Sequence, residues 1–310
     1  MEYNKNRVIT AHLSMLGANM FWGLMAPIGK AAMTHGLDGI DMVTFRVVGG
    51  AILFAIAALF AKKEHVSNHD KLMLFGAAIF GLVCNQCCFT IGLSLTSPIN
   101  ASIVTTSMPV FAMLLSALIL HEPITKMKAG GVALGCTGAI ILILTSATAA
   151  NAKVGDIRGD LLCMCAQISY SFYLSMFNKT VRKYSPFTLN KWMFLFATIM
   201  LLPFTGSHVA QIEWTAIPTS TWLEAGYVVL IGTFVCYILM MVGQRTLRPT
   251  VVSIYNYMQP IVSVIVSIAA GLGIMKWSQA LAVILVFTGV YLVSKSRSKN
   301  DELAKAENKD

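Results

Sequence analysis

The stretch LMLFGAAIFGLVCNQCCFTIGLSLTSPINASIVTTSMPVFAMLLSALIL, residues 72–120, contains no Asp, Glu, Lys or Arg. At ~1.5 Å per helical residue it is about twice as long as one crossing of a ~30 Å hydrocarbon core requires. The string SLTSP, Ser94 to Pro98, divides it into two spans. The stretch also has a second copy. Displaced by 151 positions, the chain falls on itself without a gap: Gly81 meets Gly232, Gly92 meets Gly243, Pro98 meets Pro249, Ser102 meets Ser253, Pro109 meets Pro260 and Ser116 meets Ser267. Further on, Thr137 and Gly138 meet Thr288 and Gly289.

Composition sets the solvent. Hydrophobic residues make up 56% of the chain and charged residues 12%, against roughly 25% charged in a soluble domain. A polar surface cannot be built from so few charges, so lipid must cover most of the molecule. Outward from the decisive stretch, the other apolar segments are 8–29, 41–61, 129–152, 161–178, 192–212, 225–244, 249–275 and 277–294. The expected fold is therefore an all-α membrane protein of ten transmembrane helices, five per repeat. The repeats span 8–146 and 158–295, followed by a mixed-charge cytoplasmic tail, 296–310.

The basic residues orient it. With the amino terminus in the cytoplasm, 18 of the 23 Lys and Arg residues fall in cytoplasmic segments; Lys30, Lys153, Arg158 and Lys276 fall outside and Arg46 lies within a span. The positive-inside rule then puts both termini in the cytoplasm. An odd number of spans per repeat makes the second copy enter from the opposite side, an inverted repeat, which is a plan of secondary transporters with the solute held between the halves. The net charge of +9 belongs to cytoplasmic loops and calls for no nucleic acid. The first apolar segment is too long for a cleavable signal and reads as the first helix.

Seven cysteines, at 84, 87, 88, 136, 163, 165 and 236, all sit in expected spans. An odd number there argues against a disulfide framework, and Cys84, Cys87 and Cys88, with no histidine or carboxylate nearby, read as packing residues rather than a metal site. No metal or cofactor is expected. The histidines at 35, 65, 69, 121 and 208 lie in loops or span ends, only His12 lies within a span, and no carboxylate pair occurs at depth. An intramembrane enzyme would need such a constellation, so none is expected. No phosphate-binding glycine loop of the ATP-hydrolysing kind occurs either.

These residues carry a family resemblance. TSPINASIVTTSMPVFAMLLSALILHEPITKMKAGGVALGCTGAIILI, Thr96 to Ile143, resembles the end of the EamA domain of the drug/metabolite transporter superfamily: a short fourth helix with a central proline, Pro109, runs to a glutamate, Glu122, and then to a glycine-rich fifth helix with Gly130, Gly131, Gly135 and Gly138. GANMFWGLMAPIGK, Gly17 to Lys30, and the helix with Arg46 are similar too. The resemblance covers about residues 10–295 as two tandem domains. The second copy departs from it, with Gly273 where Glu122 has its counterpart, and Glu122 reads as a helix-end partner of Lys126 or Lys128.

Pro109 and Pro260, at matched positions in the fourth and ninth spans, each remove a backbone donor at membrane depth and point to the solute site. The expected substrate-binding residues are Asn19, Trp22, Arg46, Asn85, Thr105, Tyr173, Tyr237, Tyr255, Asn256 and Gln259, with Thr106, Gln86 and Tyr170 at similar depth. Amides and hydroxyls can line a watery cavity while rings take the apolar part of a solute. Arg46 either snorkels to the outer surface or draws in an anionic group. The expectation is a secondary carrier, exporting amino acids or related small solutes by alternating access in a bacterial inner membrane. Its partners are a small-molecule solute and the lipid bilayer, with a homodimer left open. The alternatives are an importer or exchanger of phosphorylated or nucleotide-linked sugars, and a membrane scaffold or sensor.

Overall fold

The computed structural model describes residues 2–96, 101, 104–105, 107–121, 124–149, 157–259, 261–262 and 277–296. Pro98, Thr106, Glu122, Pro260 and Gly273, which the sequence reading uses, lie outside them. Among the described residues every regular element is helical. The first half comprises α1 (Glu2–Thr34), α2 (Gly39–Phe60), α3 (Asn68–Leu95), α4 (Met108–Leu120) and α5 (Lys126–Ala149). The second comprises α6 (Ile157–Met176), α7 (Pro186–Val209), α8 (Thr219–Thr246), α9 (Pro249–Ile254) and α10 (Trp277–Lys295), with a short helix Asn178–Lys183 between α6 and α7.

Local chemistry sets these boundaries. Asp38 caps α2 by accepting the N–H groups of Ile40 and Asp41, while the Asp41 side chain accepts the N–H of Asp38, a reciprocal capping box. Ser67 and Ser185 cap α3 and α7. Pro109 stands in the first turn of α4, where a missing N–H costs nothing, and α4 ends at His121 in the left-handed region, φ 52°. Both α1 and α8 outrun the charge-free segments that announced them, because Lys5, Arg7, Lys30 and Glu224 are themselves helical. The Lys30 ammonium donates to the carbonyls of Leu93, Ser94 and Thr96 at 2.9, 2.9 and 3.0 Å and so terminates α3.

Among the described residues, five helices are long and apolar enough to cross a membrane: Lys5–Thr34 within α1, then α2, α3, α7 and α8. Met108–Leu120 and Leu161–Met176 are shorter apolar helices. The ten spans of the sequence reading are not established by this measure, since α5, α9 and α10 run into side chains or residues outside the description. Leu59, Phe60, Leu118, Phe204, Leu223 and Trp277 are largely exposed, a surface suited to lipid.

The duplication is visible in three dimensions. Both α3 and α8 contain a π-helical turn, at Ile79–Cys84 and at Leu230–Val235, and these ranges are 151 positions apart. Packing follows the same symmetry: α3 lies on α6 as α8 lies on α1, whereas α2 with α7 and α5 with α10 are pairs that map onto themselves. In the last pair the backbones nearly touch. A Cβ on Gly131 would lie 2.8 Å from the Gly289 carbonyl oxygen and one on Gly289 would lie 2.5 Å from that of Gly131. Between the halves, the rings of Phe54, Phe194, Phe234 and Tyr237 form a core with centroid separations of 4.8–5.2 Å.

Candidate functional site

A π turn inserts one extra residue into a helix and re-aims the side chains that follow. In α3 the turn is followed at once by Asn85 and Gln86, and in α8 by Cys236 and Tyr237. Asn85, Gln86 and Tyr237 face a narrow cleft between the halves. Trp22 and Met25 of α1, Arg46 of α2 and Phe89 of α3 also line it. So do Thr105, Met108, Gln167, Tyr170, Asn256 and Gln259. Three pairs in this wall are equivalent positions 151 apart: Gln86 with Tyr237, Thr105 with Asn256, and Met108 with Gln259. The cleft therefore lies on the axis that relates the repeats.

Arg46 is 5% exposed and faces the cleft, not the outer surface. Its Nε donates to the Thr233 hydroxyl at 3.2 Å and its Nη1 to the Thr90 hydroxyl at 3.3 Å. None of the ion pairs among the described residues includes it. A guanidinium has five N–H donors in a fixed fork that suits a carboxylate, and two hydroxyls leave much of that capacity unused. Gln86 Nε2 donates to the Tyr237 hydroxyl at 2.8 Å, while its buried Oε1 has no hydrogen-bond partner among the described residues. Trp22 donates from Nε1 to the Gly232 carbonyl at 2.7 Å and meets the Tyr237 ring edge-on at 6.1 Å.

Seven of the ten residues expected from sequence line this wall: Trp22, Arg46, Asn85, Thr105, Tyr237, Asn256 and Gln259. The other three stand behind it. Asn19 is held by the Met15 carbonyl and accepts from Gln259 Nε2 at 3.1 Å, so it orients a wall residue. Tyr173, the counterpart of Trp22, packs its ring where Gly81 leaves room and donates to Gln244 Oε1 at 3.1 Å; Gln244 in turn donates to the Tyr170 hydroxyl at 2.8 Å. Tyr255 lies in a 3₁₀ turn, Tyr255–Tyr257, and pairs with His12 Nδ1 at 2.6 Å. Pro109 is buried in α4 next to Met108, and Asn256 Nδ2 donates to the Met108 sulfur.

Sequence reasoning missed Met25, Phe89, Met108 and Gln167. Two of them had a signal: Met108 is the repeat counterpart of Gln259, and Gln167 lies one turn before Tyr170 on the same face of α6.

Comparison with known proteins agrees with this architecture. The model of the EamA-like transporter family matches twice, over residues 9–144 and 157–295. The chain is 20% identical over 289 residues to the uncharacterized transporter YyaM of Bacillus subtilis, covering 92% of this chain and 94% of that one. It is 26% identical over 200 residues to the uncharacterized inner membrane transporter YedA of Escherichia coli K12, covering 62% of each. A solved crystal structure superposes with a TM-score of 0.70 at 17% identity, over 92% of this chain and 98% of that one, which is a likeness of fold alone.

Proposed function

The chain belongs to the EamA-like transporter family, and from that premise we propose that this integral membrane transporter is a secondary carrier exporting small metabolites, amino acids or related organic solutes. It works by alternating access in a bacterial inner membrane, through ten spans in two inverted repeats with both termini cytoplasmic.

The observation that carries this reading is the cleft on the repeat axis, walled by equivalent positions of both halves and holding a buried cation with no carboxylate partner among the described residues. Rocking one repeat against the other about this axis would expose the same wall to one side and then the other. Arg46 suits a carboxylate, the unpartnered Gln86 Oε1 suits an ammonium or amide donor, and Trp22 with Phe89 offers apolar faces for the remainder. Exchange of phosphorylated or nucleotide-linked sugars would call for paired cations. Arg46 is the one cation among the described residues of the wall, while Arg182 and Arg248 donate to the carbonyls of Leu247 and Ser296, at 3.0 and 2.7 Å, outside it.

The test is flux in liposomes holding the purified protein, with radiolabelled amino acids, organic cations and sugar phosphates, with and without a pH gradient. Saturable amino-acid flux that disappears in Gln259→Ala, with unfolding temperature retained, supports the reading. Flux confined to sugar phosphates, or absent for every class, overturns it.

A further inference from the structure

We propose that Asp38, Asp41 and His208 form a binding site for a divalent transition-metal ion, at the end of the bundle where α2 begins and α7 finishes. The carboxylates are already oriented. Asp38 Oδ1 accepts the N–H groups of Ile40 and Asp41 at 2.8 Å each, and Asp41 Oδ2 accepts that of Asp38 at 3.0 Å. Each side chain is thus pinned through one oxygen and turns the other towards His208: Asp38 Oδ2 lies 2.7 Å and Asp41 Oδ1 3.7 Å from Nε2.

The independent sign of a missing ligand is Asp41. Its side chain is 7% exposed, yet among the described residues Oδ1 has no hydrogen-bond partner, with His208 Nε2 standing 3.7 Å away. A buried carboxylate oxygen left unsatisfied is costly, and a cation among these groups would satisfy it. The three donor atoms lie within 4.8 Å of one another. Ligands at ~2.0–2.1 Å around a tetrahedral ion are separated by about 3.3 Å, so an ion would open the 2.7 Å pair and draw the widest pair together, by at most about 1.5 Å in separation, to bring all three onto it. One imidazole with two carboxylates favours Zn²⁺, Co²⁺ or Ni²⁺ over Mg²⁺ and Ca²⁺. Two carboxylates balance the charge of the ion, and the half-exposed Asp38 and His208 leave an open side for water as a further ligand.

No sequence motif announces the site, because Asp38 and Asp41 come from the first repeat and His208 from the second. An ion there clamps the ends of α2 and α7 together. The site does not depend on which solute the protein carries.

The experiment is calorimetric titration of Zn²⁺ into the purified full-length protein freed of any histidine tag, with thermal unfolding as a second readout. The expected result is one ion per chain and a raised unfolding temperature. Binding falls by tenfold or more in Asp41→Asn and in His208→Gln, and Mg²⁺ gives no heat. His208 is partly exposed, so His208→Gln retains the fold and carries the test if Asp41→Asn does not. Absence of Zn²⁺ binding to the native protein, or binding undiminished in His208→Gln, overturns the proposal; the second result would put the ion on other donors such as the thiols.

Discussion

Gln86 donates a 2.8 Å hydrogen bond to the hydroxyl of Tyr237, the residue that occupies its own position in the other repeat. Two equivalent positions can touch only beside the axis that relates them, so this bond marks that axis. It is also incomplete, since Gln86 Oε1 has no hydrogen-bond partner among the described residues. Tyr237→Phe should leave the whole amide unpaired and lower stability by about 1–3 kcal/mol, whereas adding Gln86→Leu should recover part of the loss. A double-mutant cycle on thermal unfolding checks this: a coupling of about 0.5 kcal/mol or more is expected, and strict additivity would contradict it.

Arg46 needs its fork, not only its charge. Arg46→Gln should reduce flux of an anionic or zwitterionic solute by at least tenfold, and Arg46→Lys should recover little of it, because an ammonium cannot hold Thr90, Thr233 and a carboxylate in one plane. Initial rates in liposomes decide this. Equal flux in Arg46→Lys and the native protein would mean that a point charge suffices.

Helix spacing should respond unequally to added methyl groups. Gly131→Ala meets the backbone of α10 and a branched side chain, which cannot retreat, and should cost about 1–3 kcal/mol. Gly226→Ala in α8 meets nothing within 4 Å and should be neutral or slightly stabilising. Unfolding temperatures of the two variants, compared in the same detergent, test the difference.

The loop before α2 predicts a pH effect. Burial alone would raise the Asp38 carboxyl, but the N–H groups of Asp41 and Ile40 and the adjacent His208 outweigh it and hold the group below the ordinary carboxylate range. A depressed folded value stabilises the protein above the unfolded pKa of about 3.9, and that contribution is lost as pH falls through the lower folded value. Asp38→Asn should therefore flatten the acid limb of a stability–pH profile below pH ~4. A profile identical to that of the native protein would contradict this.

Much of the architecture is legible in the sequence, because lipid punishes charge and the repeat preserves Gly81, Gly92, Pro109 and Ser102 beside their counterparts. The wall of the cleft was legible where a polar side chain stood at membrane depth, as with Asn85, Asn256 and Gln259. Tyr173 and Tyr255 satisfied the same criterion and turn elsewhere, since their hydroxyls find Gln244 and His12; no linear pattern records which partner wins. Arg46, five residues from the start of its expected span, could have turned either way. The packing of α2 against α8 brings Thr233 beside it and settles the direction inward. Asp38, Asp41 and His208 were scattered among loops and helix ends, and only tertiary contact unites them.

The paired π turns have a historical consequence. A one-residue excess in a helix is hard to gain twice at the same place, yet Ile79–Cys84 and Leu230–Val235 coincide under the duplication. The economical origin is a single ancestral half that already carried the irregularity and met a second copy of itself. Under that duplication the positions now held by Gln86 and Tyr237 descend from one. The two positions now differ, Gln86 donating and the Tyr237 hydroxyl accepting, so the contact between the repeats has a direction that identical residues would not give it.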